Sequence, residues 1–256
     1  MNGSRPARLG SIGRLRAACD GDALVLWAAQ TLRPGVRAWA QGDAVAVASP
    51  AVSNRDRLVV HGPVDAVASL VESLLPQTGP SYRLLGPAAL VAGVTERVGG
   101  LQVSGAFAWM ETDPALPPPA PDPGSGASWL GPADGPEVAE ILQTTLPESH
   151  ARPGVAGVRR WAGVRSDGRL AAVAADAWST PAVGFVSGVA TRPQLQGRGM
   201  GRAVVRFLLA GMRREHPRVG LFVAADNEPA IALYRGFGMS LRPVAAAARR
   251  APGGPC

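Results

Sequence analysis

Gln196-Gly197-Arg198-Gly199-Met200-Gly201 is the stretch of this chain best equipped for chemistry. An apolar run, Val183 to Ala190, precedes it, and a helix-patterned run, Arg202 to Arg214, follows it. A glycine-rich turn at a helix start leaves several backbone N–H groups unpaired and aimed at one point, and the helix dipole adds partial positive charge there. Such a turn is suited to phosphate. Two phosphate motifs are excluded. A dinucleotide fingerprint needs Gly-x-Gly-x-x-Gly, and position 202 is Arg. A P-loop needs Gly-Lys-Ser/Thr, and the chain has no lysine. The same absence removes Schiff-base catalysis. Downstream, Asn227 and Tyr234 carry the next side chains of chemical interest. A positioned phenol donates a proton to a leaving group within about 3 Å; taken alone, Tyr234 reads equally well as a core-edge aromatic on a helix.

Elements that would position these residues are readable on both sides. Asp134 to Leu146 carries Val138, Ile141, Leu142 and Leu146 near helical spacing. Val158–Val164 and Leu170–Ala177 read as strands joined by the hairpin signal Ser166-Asp167-Gly168. Val183–Thr191 is a longer strand that Pro193 stops, and Arg202–Arg214 is a helix ended by His216-Pro217. Val219–Ala224 is a short strand. A second helix starts at Glu228, with Asn227 as N-cap and Pro229 inside it. Met239–Val244 is a last strand. The N-terminal half reads as a helix over Ala23–Leu32, strands within Val36–Val47 and at Arg57–Val60, and a helix over Val64–Leu75. Further pieces lie at Leu90–Val94 and Val103–Met110. Between the halves, six prolines lie from Pro114 to Pro123, followed by Gly124-Ser125-Gly126. Such a run holds neither helix nor central strand. The expected organisation is therefore a domain over 1–112, a linker over 113–128, a domain over 129–246 and a flexible tail over 247–256.

Gln196, Gly199 and Gly201 reproduce the pattern Gln/Arg-x-x-Gly-x-Gly/Ala. Asn227, Ala230, Leu233 and Tyr234 reproduce Asn-x-x-Ala-x-x-Leu-Tyr, closed by Gly238-Met239. Over residues 129–246 the chain resembles the GNAT superfamily of acyl-CoA-dependent N-acyltransferases. The resemblance implies a mixed α/β (α+β) fold. A C-terminal GNAT-type mixed sheet would be flanked by helices, with a smaller N-terminal α/β domain, for which a degenerate second GNAT copy is one reading. It implies acetyl-CoA as acyl donor, with the pyrophosphate on Gln196, Gly197, Arg198, Gly199, Met200, Gly201 and Arg202. The pantetheine arm would pair along Val189, Ala190 and Thr191, and Asn227 would bond it. Tyr234 would protonate the departing thiolate, so that a primary amine is acylated directly in a ternary complex. The sequence departs from the family in one respect. Many members carry a Glu early in the strand before the turn, where this chain has Phe185 or Gly184, and Val183–Thr191 contains no carboxylate. Asp176, Glu148, His150 or water alone are the candidates for the base. That departure keeps a second reading open, a non-catalytic acyl-CoA sensor. Trp161 reads as core; Trp178 reads as core or as a wall of the acceptor pocket.

Composition narrows the partners. Net charge is +7 and pI about 11.0, but all 26 basic residues are Arg and they are scattered. Aromatics are 5%, without the basic–aromatic interleaving of single-strand binders. Nucleic acid is not the expected partner. No apolar run reaches the roughly 18 residues of a membrane span, and Met1 to Arg16 lacks the apolar core of a secretory signal. The expectation is a cytoplasmic monomer or homodimer acting on a small-molecule amine. Cys19 and Cys256 form no metal or redox motif, and His61, His150 and His216 match no ligand spacing. No metal is expected. His61 and His216 read as solvated or locally hydrogen-bonded side chains.

Overall fold

The computed structural model of the chain describes residues 5–120 and 122–250. It separates into two compact units. The first comprises Met1–Trp109, Phe222–Glu228 and Leu241–Cys256; the second comprises Met110–Leu221 and Pro229–Ser240.

In the first half of the chain the elements are β1 (Ala7–Arg8), α1 (Ile12–Ala18), α2 (Ala23–Ala28), β2 (Arg37–Gln41), β3 (Ala44–Val52), β4 (Arg55–His61), α3 (Val64–Leu74), β5 (Arg83–Pro87), α4 (Ala88–Arg97) and β6 (Leu101–Thr112). In the second half they are β7 (Ala127–Trp129), α5 (Gly135–Thr145), β8 (Val158–Ser166), β9 (Arg169–Ala177), β10 (Val183–Thr191), α6 (Met200–Met212), β11 (Arg218–Ala224), α7 (Glu228–Arg235) and β12 (Met239–Arg249).

The strands of the first unit lie in the order β1-β2-β3-β4-β5-β12-β6. β4 and β5 are parallel and joined through α3, while β2, β3 and β4 form antiparallel hairpins. Residues alternate across each strand. Ala44, Ala46, Ala48, Leu58 and Val60 therefore face one way, into a core with Val67, Leu70, Val71 and Leu74 of α3 and Leu90, Val91 and Val94 of α4. β12 closes this core. Ala245 and Ala247 are buried in it, and the strand pairs antiparallel with β5 from Val244 opposite Pro87 to Ala247 opposite Leu84.

The second unit has the strand order β11-β10-β9-β8-β7, antiparallel except for the β10/β11 pair. Asp167 (φ 50°) and Gly168 (φ 77°) make the tight β8–β9 turn, as an Asp-Gly pair favours. Helix α6 buries Val204, Val205, Leu208, Leu209 and Met212. Helix α5 buries Val138, Ile141 and Leu142. Both halves thus run through hairpin strands, a helix, a parallel strand, a helix and a final strand.

The structure differs from the sequence expectations at three places. The tail does not begin at 247, because β12 continues to Arg249 with Ala247 buried; residues 251–256, Cys256 among them, lie outside the described residues. Residues 127 and 128, counted with the linker, are strand β7, with Ala127 opposite Val164 and Ser128 opposite Gly163. The preceding proline-rich segment is held by two arginines: Arg213 donates to Leu116 C=O (2.9 Å), and Arg206 donates to Ala120 C=O (3.4 Å). The helix expected over Ala23–Leu32 stops at Ala28, and Gln30, Thr31 and Leu32 take φ of 44°, 58° and 57°.

Candidate active site

Strand β10 delivers the chain to the glycine turn. Arg192, immediately after it, bonds Leu170 C=O through Nε (2.7 Å) and Glu140 of α5 through Nη1 (2.8 Å), so this arginine anchors the strand end and is not free for phosphate. Pro193–Leu195 makes one 3-10 turn. Gln196 Nε2 then donates back to Thr191 C=O (3.3 Å), tying the turn to the strand.

Gly197 (φ 75°) and Gly199 (φ 82°) occupy the left-handed region, which costs an L side chain roughly 1–2 kcal/mol. A Cβ at either would meet nothing within 4 Å. Their side of the turn is therefore open space in front of backbone. The first bond inside α6 runs from Ala203 N–H to Gly199 C=O (2.9 Å). No side chain caps the helix, and no acid stands in its first turn. The N–H groups of Met200, Gly201 and Arg202 are left for an anion. Arg198 is exposed and, among the described residues, unpaired. Arg202 is stacked over the Phe237 ring, 4.9 Å from its centroid. That contact packs the segment after α7 onto the first turn of α6.

The strand before the turn has a free edge. β10 pairs with β11 from Val183 opposite Arg218 to Val186 opposite Leu221, and the pairing stops there. β10 runs on for Ser187–Thr191. A bulge interrupts its pairing with β9 between Ser187 and Ala190. At its centre Gly188 has φ 60°, and a Cβ there would stand 2.7 Å from the Trp161 ring. Bulges re-aim a strand and end its pairing. Val189, Ala190 and Thr191 therefore offer backbone that no β11 residue pairs.

Tyr234 lies near the end of α7, 6% exposed. Burial pushes its phenol well above the usual tyrosine range, so it stays protonated. Its hydroxyl has no hydrogen-bond partner among the described residues. Asn227 is exposed, directly before α7, with its backbone N–H on Ala224 C=O (3.1 Å).

Residues 133–239 match the model of the acetyltransferase (GNAT) family. This segment is a GNAT acetyltransferase domain. Solved structures agree in fold. A GNAT-family acetyltransferase from Novosphingobium aromaticivorans is similar at 27% identity and TM-score 0.53, over 77% of this chain and 88% of that one. Two GCN5-related N-acetyltransferases match nearly end to end. The one from Kribbella flavida has TM-score 0.62 and 16% identity over 96% and 98% of the two chains; the one from Sphaerobacter thermophilus has TM-score 0.59 and 19% identity over 94% and 92%. No protein of curated function matches the chain.

Within the GNAT domain the candidates for a base separate. Asp176 is fully buried, and its carboxylate is taken by Arg160 Nε (3.1 Å), Arg159 Nη1 (3.3 Å) and Ser179 Oγ (2.5 Å). Ser179 Oγ in turn accepts from Phe185 N–H (2.8 Å). Asp176 is a structural anion and is withdrawn as a base. Glu148 is exposed and His150 half-buried, on the loop after α5. That loop reaches the β10 bulge, where Ala151 Cβ lies 3.4 Å from the position of a Gly188 Cβ. The strand carboxylate is absent for packing reasons too. Phe185 is buried against Trp178, ring centroids 6.5 Å apart, and a Cβ at Gly184 would come within 2.8 Å of His216 and Met212. Trp161 and Trp178 are both core.

His216 corrects another expectation. It is buried, not solvated, and neither ring nitrogen has a hydrogen-bond partner of good geometry among the described residues. Burial holds it below the usual histidine value and keeps it neutral. His61 is half-exposed, 3.8 Å from Asp22. No described helix is long and apolar enough to cross a membrane.

Proposed function

We propose that the GNAT domain transfers an acetyl group from acetyl-CoA to a primary amine on a small molecule, in a ternary complex. One observation carries the proposal: an uncapped α6 preceded by Gly197 and Gly199, continuous with a strand end that has lost its β11 partner. The first feature suits a pyrophosphate and the second an extended amide-bearing arm. Acetyl-CoA fits both, and its thioester supplies an activated acyl carbon with a sulfur leaving group.

The chain's own residues have three tasks. The N–H groups of residues 197–202, with Arg198, hold the phosphates. The edge of Val189–Thr191 that β11 leaves unpaired aligns the arm, and a strand N–H there faces the thioester carbonyl oxygen as charge develops on it. Tyr234 holds its proton at Oη and delivers it to the departing sulfur, which prevents re-attack. The amine's own proton goes to water or to the Glu148–His150 loop. No acyl-enzyme is required. We further propose a cytoplasmic monomer or homodimer without nucleic-acid or membrane partners, with the N-terminal half a degenerate copy of the same fold.

The missing strand carboxylate favours a second reading, a sensor that binds acyl-CoA without turnover. Thiol release from acetyl-CoA against a panel of primary amines separates the two. Turnover with at least one amine supports transfer. Tight acetyl-CoA binding with no release across the panel at pH 7–9 leaves only the sensor.

A further inference from the structure

We propose that the first unit contains a binding site for a small carboxylate with an apolar or aromatic body, built on Arg57 and Ser49. Arg57 on β4 is 7% exposed, yet among the described residues no carboxylate lies within ion-pair distance of it. Its one hydrogen bond runs from Nε to Val52 C=O (3.2 Å). Its charged neighbour is Arg55, and burial together with that like charge pushes the guanidinium down to about 10. It therefore still carries its charge at neutral pH. A buried cation is normally paired, because taking it out of water unpaired is expensive. Here the two terminal nitrogens have no protein acceptor among the described residues and keep some contact with solvent.

Ser49 supplies the second orphan. It stands directly opposite Arg57 in the β3/β4 ladder, so both side chains share one face, with Cβ atoms about 5 Å apart. Ser49 is fully buried, and its hydroxyl is unpartnered. The two rows facing this way are Val45, Val47, Ser49 and Arg57, Val59, His61. At the far end Asp22 is already taken by Arg242 Nη1 (2.6 Å). Asp56, beside Arg57 in sequence, bonds Ala51 N–H and Ser81 Oγ instead. Neither acid compensates Arg57.

The surroundings select among anions. The guanidinium lies 5.7 Å from the Trp27 ring centroid and 5.3 Å from that of Phe222. Phe222 in turn contacts Trp27 (5.4 Å), Trp109 (5.1 Å) and Phe107 (5.2 Å). One positive charge against two aromatic rings compensates one negative charge and no more. A planar fork matches a carboxylate bidentately, Ser49 Oγ would donate a third hydrogen bond, and an apolar or aromatic body suits the neighbourhood of the Trp27 and Phe222 rings. This site belongs to the first unit alone and stands whether or not the GNAT domain transfers acyl groups.

The test is calorimetric titration and thermal melting of the full chain with acetate, propionate, benzoate and phenylacetate. The neutral amides of the same acids and inorganic phosphate serve as controls. Saturable binding of at least one carboxylate is expected, with none of its amide and weaker binding of phosphate. Arg57→Met should weaken that binding at least about 30-fold, the loss typical when one partner of a buried charge pair is removed. Arg57→Met gives up the Nε bond to Val52 C=O and the ring contacts but no ion pair, so the unliganded variant should melt close to the parent. Ser49→Ala, a milder change, should weaken binding about five-fold, as for one net hydrogen bond. The proposal is overturned if no carboxylate of the series binds, if phosphate binds as tightly, or if both variants bind like the parent. An unliganded Arg57→Met that melts well below the parent also overturns it, since the cation would then be structural.

Discussion

Tyr234→Phe removes one oxygen and should raise stability while lowering activity. The phenol is 6% exposed, and its hydroxyl has no partner among the described residues. A buried polar group left unsatisfied costs about 1–3 kcal/mol. With some of its surface still accessible, the lower end applies, so phenylalanine should stabilise by up to about 1 kcal/mol. For a chain of this size that corresponds to a melting midpoint higher by about 2–4 °C. Loss of the proton donor should lower kcat by at least about 100-fold, while the acetyl-CoA Kd stays within a factor of two. The parent should show no activity loss from tyrosine ionisation up to about pH 10, since burial raises that phenol and keeps it protonated. Scanning calorimetry, stopped-assay thiol release and titration of acetyl-CoA measure the three quantities. A variant that melts several degrees lower while turning over normally would refute the reasoning, because the hydroxyl would then be a structural donor with no part in chemistry.

Gly199→Ala forces an alanine to φ 82° at the start of α6. It should cost about 1–2 kcal/mol of stability and weaken acetyl-CoA binding at least ten-fold by calorimetry, whereas a turn that holds no phosphate would lose stability alone. Asp176→Asn leaves Arg159 and Arg160 without their buried anion. It should destabilise by about 3–5 kcal/mol while retaining kcat in the folded fraction; loss of kcat with an unchanged melting midpoint would restore Asp176 as the base. The buried, depressed His216 binds its proton more readily in the unfolded chain. Stability should therefore be complete above about pH 6.5, fall as pH drops below it, and level off below the folded-state value. His216→Phe should flatten that segment of a denaturant-midpoint profile. The acid limb below about pH 4.5 should persist, because Arg160 and Arg192 hold Glu215 and Glu140 below the ordinary carboxylate range.

Legibility followed local signals. β10 is bounded in sequence by Pro193 and is observed over Val183–Thr191 as expected. The β8–β9 hairpin was equally readable, because Asp167-Gly168 has a conformational reason to turn. α6 begins two residues before its apolar pattern does, since Met200 and Gly201 join the helix without adding to its buried face. β12 was cut short at Val244 because the alanines at 245–248 show no alternation, although Ala245 and Ala247 are buried. Strand β7 has three residues, too few for a period. The site losses have a different cause. Asp176 reads as a polar residue near a strand end until the register puts Arg160 opposite it. Arg57 reads only as the start of a strand, and His216 as solvated or locally hydrogen-bonded, because strand parity and packing decide their burial and sequence pattern does not resolve it.

The two halves carry the same run of elements up to a strand, a turn and a helix, and the turns explain why only one is a candidate for a phosphate ligand. Between β4 and α3 the turn is Gly62-Pro63. Pro63 removes a backbone donor, and Asp65 places a negative charge in the first turn of α3, where the helix end would otherwise attract an anion. Between β10 and α6 the chain spends eight residues, brings two glycines into the left-handed region and puts no acid in the first turn. One helix start is closed to phosphate and the other is open to it. The first unit keeps its unmatched positive charge elsewhere, at Arg57 among aromatic rings, in surroundings suited to a carboxylate and not to a pyrophosphate. On these proposals the two halves would hold different anions at different places, and exchanging Gly62-Pro63 for a longer glycine turn would not transfer coenzyme binding while Asp65 remained.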